Sequence, residues 1–398
     1  MKAVALAEVP GNYGPITVAE SLLQKIWQRG DFLKDKLQTT EGLPLSIIAR
    51  GTLNHQEGPD FKDAQIEIAG RSYYGDIEIH FYERDWFYHE HHRNPHFQKV
   101  VLHVVLFDPK PDAPRYEAKD GCYTPPHTFC LLPLLRQDVE SYAIHEAYLA
   151  IQYRLSNQDL DPWLALPIER RRQLLRSKAR LRWEQKVQFA RQRLERLGWQ
   201  EACHHFFLEV LGYRRNRAPM VDLAALFPLE AMVEERQAPG DYFSFSQERW
   251  KLSGLRPANH PLRRIQQYLD LLAQRPQWPD GLRKMPFYHA EPSVDTASFR
   301  RSIRLRQQRH SLKTGLLADT LSGSRLDTLI CDAFLPLLSA LNQQDYFALW
   351  FHWLSGDMPE DVHAFAKAIE VINGKDFPSC HGFHQGILQL FIVENRVL

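Results

Sequence analysis

The run GPDFKDAQIEI (residues 58–68), followed by GDIEIH (75–80), decides how this chain reads. Gly58 and Pro59 mark a turn, Asp60 closes it, and a strand-like segment follows. The second run alternates Asp76, Glu78 and His80 with Ile77 and Ile79. Successive side chains of a strand point to opposite faces, so these three polar groups share one face. Carboxylates and an imidazole converging from adjacent strands suit a hard divalent cation, with His80 placed to ligate it, polarise a substrate or transfer a proton. Metal-dependent phosphodiester hydrolysis uses such donors, because the ion polarises the phosphate and lowers the pKa of the attacking water. The same spacing is equally that of a turn capped by Asp60 and a strand whose Glu78 and His80 face solvent.

Working outward, ERDWFYHEHH (83–92) adds His89, His91 and His92, with His96 just beyond and His103 on the next apolar segment. Six of the 18 histidines therefore fall between residues 80 and 103, where an even spread would put about one. His89 and His91 stand two apart and suit a shared metal, or proton transfer and phosphate binding. His92 and His96 have the i, i+4 spacing at which a helix brings two imidazoles to one ion. Packing of rings over a sheet is the reading favoured for His92, His96 and His103.

Around this core, VAESLLQKIWQR (18–29) spaces Leu22, Leu23, Ile26 and Trp27 as a helix that Gly30 stops, with Glu20 at its front. Residues 43–53, 63–69, 75–82 and 99–107 read as strands, the last (KVVLHVVLF) apolar enough to be buried on both faces. A Pro-rich passage, DPKPDAP (108–114), and an Asp120-Gly121 turn signal follow. Beyond about residue 137 the periodicity turns helical. The expected architecture is a small mixed α/β domain over 1–136 and a mainly α-helical domain over 137–398.

The 398 residues carry a formal charge of +1, so any nucleic-acid role needs a local basic surface. Glu169 to Arg196 supplies one, with 11 Lys and Arg against three acids. Two readings stand: an ordinary solvated helix face, or a stripe in which Arg170, Arg176 and Arg180 track phosphates. LRPANHPLRR (255–264) also has two. Arg256 and Arg264 could grip phosphates at a helix N-terminus, or Asn259 could cap a helix from Pro261 while Arg256 fixes an interdomain contact.

Five scattered cysteines (Cys122, Cys130, Cys203, Cys331, Cys380) lack a CxxC pair and make disulfides or structural zinc unexpected. Near the end, Cys380, His381 and His384 offer three ligands without a fourth. Glu8 and Pro10 interrupt the apolar start before a signal core forms, and no 18-residue apolar run follows, so a cytoplasmic protein without membrane contact is expected.

Taken in series, GPDFKDAQIEI, GDIEIH, RDW, HEH and KVVLHVV resemble the N-terminal part of DUF2851, a family of uncharacterised bacterial proteins, and LRPANHPLRRI (255–265) and DTLICDAFLPLLSAL (327–341) resemble its later segments. Many relatives carry several cysteines near their end, where this chain keeps only Cys380. The N-terminal block is also similar to a degenerate PD-(D/E)XK core, the restriction-endonuclease-like fold. That resemblance implies a nuclease using Mg²⁺ or Mn²⁺ on DNA or RNA, with Asp60 and Glu78 as metal ligands and Glu20 as the acid of the first helix. His80 stands where the pattern has lysine, a permanent cation that a neutral imidazole does not replace. Members of that fold resembling very-short-patch-repair enzymes use histidines instead, which assigns supplementary roles to His89 and His91. The alternative implied by the same departure is a catalytically inactive nucleic-acid-binding or protein-interaction module.

Overall fold

The computed structural model describes residues 18–107, 126–136, 139–213, 216–245, 249–287 and 295–393. DPKPDAP, the Asp120-Gly121 turn and Cys122 lie outside the described residues. Two compact units emerge, a sheet unit spanning Val18–Tyr142 and a helical unit from Ala143 onward.

In the sheet unit, helix α1 (Glu20–Arg29) buries Leu22, Leu23, Ile26 and Trp27, the stripe its spacing predicts. It ends because Gly30 adopts a left-handed φ of 67° and returns its N–H to the last carbonyls. The segment expected as one strand over 43–53 is two, β1 (Leu45–Ala49) and β2 (Thr52–Leu53), both antiparallel to β3 (Phe61–Ile68). A two-residue turn, Ala69 and Gly70 at φ 50° and 81°, folds β3 back onto β4 (Arg71–His80). A short helix, α2 (Asp85–Tyr88), and two 3-10 turns lead to β5 (Val100–Val105), parallel to β4. β6 (His127–Cys130), not anticipated from the sequence, adds parallel to β5. The sheet order is β1-β3-β4-β5-β6, with β2 alongside β3. Trp27 stacks on Phe32 at 5.6 Å and meets Phe129 of β6 edge-on, an aromatic core between helix and sheet. Gly75 is obligatory: a Cβ there would run into the Lys99 carbonyl at the entry to β5.

Among the described residues, the helical unit contains no strand. After α3 (Val139–Ser156) and α4 (Asp161–Leu164), its axis is α5 (Ile168–Leu211), bent at Gly198 where φ is 74°. The helices Leu335–Asn342 and His381–Val393 lie along α5. No helix among the described residues is long and apolar enough to cross a membrane.

A histidine and carboxylate cluster as candidate functional site

The register of the sheet builds the site. Phe61 pairs with Ile77, which sets Asp60, at the mouth of β3, beside the end of β4. The contact is reciprocal: the Asp60 N–H donates to Glu78 Oε2 at 3.0 Å, and the Ile79 N–H donates to Asp60 Oδ2 at 3.0 Å. Gln24 of α1 donates to the other Asp60 oxygen at 2.7 Å. Both Asp60 oxygens are therefore held, and Glu78 keeps Oε1 for the interior of the cluster.

That oxygen faces imidazoles. Glu78 Oε1 lies 3.4 Å from His80 Nε2 and 3.4 Å from His91 Nε2. His80 Nδ1 and His103 Nε2 are 2.9 Å apart, and His89 Nδ1 approaches His80 Nε2 at 3.2 Å. One ligand atom each from His80, His89 and His91 lies within 4.8 Å of the others, the one such group of three found among the described residues. The wall behind them is apolar. His91 stacks on Phe97 at 3.8 Å and meets Trp86 edge-on, while Trp86, Phe97 and Val100 form a buried cluster. His80 and His103 are buried and His89 is exposed, so the cluster reaches solvent at one edge.

Burial governs the protonation of these groups. It pushes the Asp60 carboxyl up to about 7, with the nearby Glu78 adding to the effect. Glu78 rises to about 8, again chiefly by burial. Burial drives His80 down to about 2 and His103 to about 3, and neighbouring imidazoles reinforce both. His91 is lowered and Glu20 raised, each first of all by burial. A divalent ion would reverse the carboxylate shifts and reinforce those of the imidazoles, since its charge favours ionised carboxylates and neutral imidazoles. The donors of the cluster, imidazole nitrogens with carboxylate oxygens, fit such an ion.

Profile comparison decides the family. The description "Protein of unknown function (DUF2851)" attaches to a match over residues 20–245, more than half of the chain. The chain belongs to the DUF2851 family. The DUF2851 match takes in every residue of the cluster, from Glu20 to His103, and continues into the helical unit. No curated protein and no solved structure matches the chain.

The structure thus gathers Asp60, Glu78, His80, His89 and His91, and Glu20 on α1 sits close enough to Asp60 and His89 to feel both charges. Several expectations need correction. Asp76, on the same strand face in the alternation, is taken up by a bulge in β3, where its carboxylate accepts from Lys62 Nζ at 2.9 Å and the Asp63 N–H at 3.3 Å. His92 and His96 share no helix: they sit in separate 3-10 turns, His91–Arg93 and Pro95–Phe97. His103 is more than ring packing, since it bonds His80 directly. A signal for it existed: it is the one polar residue of KVVLHVVLF apart from the leading lysine, and a polar group in a fully buried strand needs a partner.

The basic residues lie in the helical unit, largely turned onto its own core. Arg171 donates to the Ile369 carbonyl at 2.6 Å, Lys186 pairs with Asp332 at 2.9 Å, and Arg193 with Glu209 at 2.7 Å. Arg176 lies over the Phe351 ring at 4.9 Å, and Arg180 pairs with Asp345 while covering Phe347. Arg170 is exposed and bonds Gln173. Arg256 is exposed too, whereas Arg264 is buried and donates to Asn259 and Gln267. His260, not Asn259, caps the helix Pro261–Gln274. Cys380, His381 and His384 do not converge on a point; His384 bonds Ser379 and His381 packs edge-on against Trp350.

Proposed function

We propose that the sheet unit is a metal-dependent hydrolase of nucleic-acid phosphodiesters, with Mg²⁺ or Mn²⁺ as the ions its nuclease-like motif implies. The observation that carries this reading is the convergence of Asp60 and Glu78 with three imidazoles at the β3–β4 edge. Element order adds support: a helix bearing Glu20, antiparallel strands, then a parallel strand after a helical connector, with PD and ExH on neighbouring strands, is the arrangement expected of a PD-(D/E)XK-like core.

A bound divalent ion supplies Lewis acidity and a nucleophilic water at neutral pH. The chain's own groups do the rest. Asp60, fixed by Gln24 and Ile79 beside the cluster, accepts the proton of the attacking water. His89, at the solvent edge, completes the imidazole set that would hold the ion. His80 stays neutral and serves as ligand and orienting group where a lysine would have been a fixed cation.

The test is cleavage of a panel of single-stranded, duplex and branched DNA and RNA by metal-loaded protein. Activity that Asp60→Asn and Glu78→Gln each abolish, in variants with unchanged circular dichroism, is the expected result. Metal binding without affinity for any nucleic acid would replace this reading by hydrolysis of a smaller phosphate ester. One observation favours that second reading: the basic residues of α5 are largely engaged inside the helical unit rather than presented as a phosphate track.

A further inference from the structure

The geometry points to a four-coordinate site for a zinc-class transition ion, with His80, His89, His91 and Glu78 as ligands and His103 as the residue that positions His80. This revises the ion of the proposed function from Mg²⁺ or Mn²⁺ to a zinc-class ion, at which water would enter as a fifth ligand; it rests on that reading only for what the ion does to a substrate.

Ring spacing is the first argument. The ring centres of His80, His89 and His91 are 4.9, 5.2 and 5.5 Å apart. With metal–nitrogen bonds of about 2.05 Å and a ring centre about 1.1 Å beyond each nitrogen, tetrahedral angles separate the centres by about 5.1 Å and right angles by about 4.5 Å. The rings already stand at the tetrahedral spacing. Donor atoms agree: His80 Nε2 lies 3.2 Å from His89 Nδ1 and 3.4 Å from Glu78 Oε1, and His91 Nε2 lies 3.4 Å from that same oxygen. A tetrahedron with those bonds has edges of about 3.3 Å, an octahedron about 2.9 Å. The three imidazole ligand atoms lie within 4.8 Å of one another, and binding would draw the exposed His89 toward the others.

Hydrogen bonding is the second. His80 Nδ1 and His103 Nε2 share a hydrogen bond at 2.9 Å, and coordination through His80 Nε2 requires the tautomer in which Nδ1–H is the donor. Both ring nitrogens of His91 are buried without a hydrogen-bond partner, a cost that coordination through Nε2 would relieve. The donor chemistry is the third. Three imidazoles and one carboxylate suit a borderline ion, whereas Mg²⁺ takes oxygen ligands and retains its waters. Asp60, with both oxygens committed to Gln24 and Ile79, stands outside the tetrahedron.

The experiment uses Co²⁺ as spectroscopic probe and Zn²⁺ and Mg²⁺ as competitors, on the full-length protein stripped of metal. Expected are the intense visible bands of four-coordinate Co²⁺, displaced by stoichiometric Zn²⁺ and untouched by excess Mg²⁺. His89→Ala, a change at the solvent edge, weakens Co²⁺ binding by more than roughly 100-fold, and His103→Asn by about 10- to 100-fold, as loss of an outer partner does. Asp60→Asn keeps the spectrum. Weak six-coordinate bands, displacement by Mg²⁺, no binding, or loss of the ion in Asp60→Asn but not in His89→Ala would each overturn the site. A four-coordinate spectrum without nucleic-acid cleavage leaves the site standing and ends the nuclease reading, while Mg²⁺-driven cleavage without Co²⁺ binding does the reverse.

Discussion

Both units bury histidines, and they use them in opposite ways. In the helical unit His204 bonds the Tyr268 hydroxyl at 2.7 Å and the Phe227 carbonyl at 3.0 Å, His352 bonds Thr296 at 2.9 Å, and His381 keeps both ring nitrogens buried without a hydrogen-bond partner. In the sheet unit the imidazoles bond one another and crowd a carboxylate. Burial lowers both sets alike, to about 3 for His204, His205, His381 and His384 and to about 2 and 3 for His80 and His103. A displaced pKa is thus no mark of a site here. What separates the sets is convergence: His80, His89 and His91 bring one ligand atom each within 4.8 Å of the others, and among the described residues no histidines of the helical unit form such a group.

The largest expected effect that sharpens this contrast is a pH response of opposite sign. His204, His205, His381 and His384 have folded values of about 3 against about 6.5 unfolded, so their stabilisation is present above pH 6.5 and is lost as pH falls toward 3. At roughly 1.4 kcal/mol per pH unit for each group, the unit loses several kcal/mol between pH 6.5 and 5. In the metal-free sheet unit Asp60 and Glu78 are raised instead, so their stabilisation, present below about pH 4, fades as pH climbs through 7 and 8. Below pH 6.5 His80 and His103 act against this trend, which confines the net loss to the alkaline side. Thermal melts from pH 5 to 8.5, followed by tryptophan fluorescence with and without metal, test it. A common sign in the two units would break the comparison.

Next in size is the split between activity and stability. Asp60→Asn should lower hydrolysis by roughly 10²–10⁴-fold through loss of the proton acceptor, with the urea midpoint little changed. His204→Phe should do the reverse, leaving the Tyr268 hydroxyl buried without its partner at a cost of about 1–3 kcal/mol while the hydrolytic rate holds. Initial rates and urea titrations on the same preparations decide both. A rate loss in His204→Phe would mean that its imidazole is not merely structural.

Backbone and surface effects are smaller. Gly75→Ala forces β4 and β5 apart at the Lys99 carbonyl, and a loss of about 1–3 kcal/mol, read in urea melts, is expected. The pair of Arg180 with Asp345 is half-exposed, so Arg180→Ala should cost less than about 1 kcal/mol. The same variant should leave the salt dependence of any nucleic-acid binding unchanged, because that guanidinium is already engaged. A slope reduced by about one would return Arg180 to the phosphate track.

Much of this was legible in the residues. The 3.6-residue spacing of Leu22, Leu23, Ile26 and Trp27 marked α1, and alternation over GDIEIH marked β4, because both patterns arise from backbone geometry. β6 was not legible, being four residues long beside Pro125 and Pro126. Composition reports charge but not direction, and α5 points Arg171, Lys186 and Arg193 at the core of its own unit.

By itself the sequence determined the chemistry available: a PD turn, an ExH strand, a surplus of histidines within 24 residues, and a helical second half. Only the tertiary structure decided which of those groups meet. Strand register carried Asp60 to Glu78 and His103 to His80, a bulge removed Asp76, and separate 3-10 turns parted His96 from His92. Local patterns are set by neighbours along the chain, whereas a site depends on distances across it, and those follow from how whole strands pair and pack.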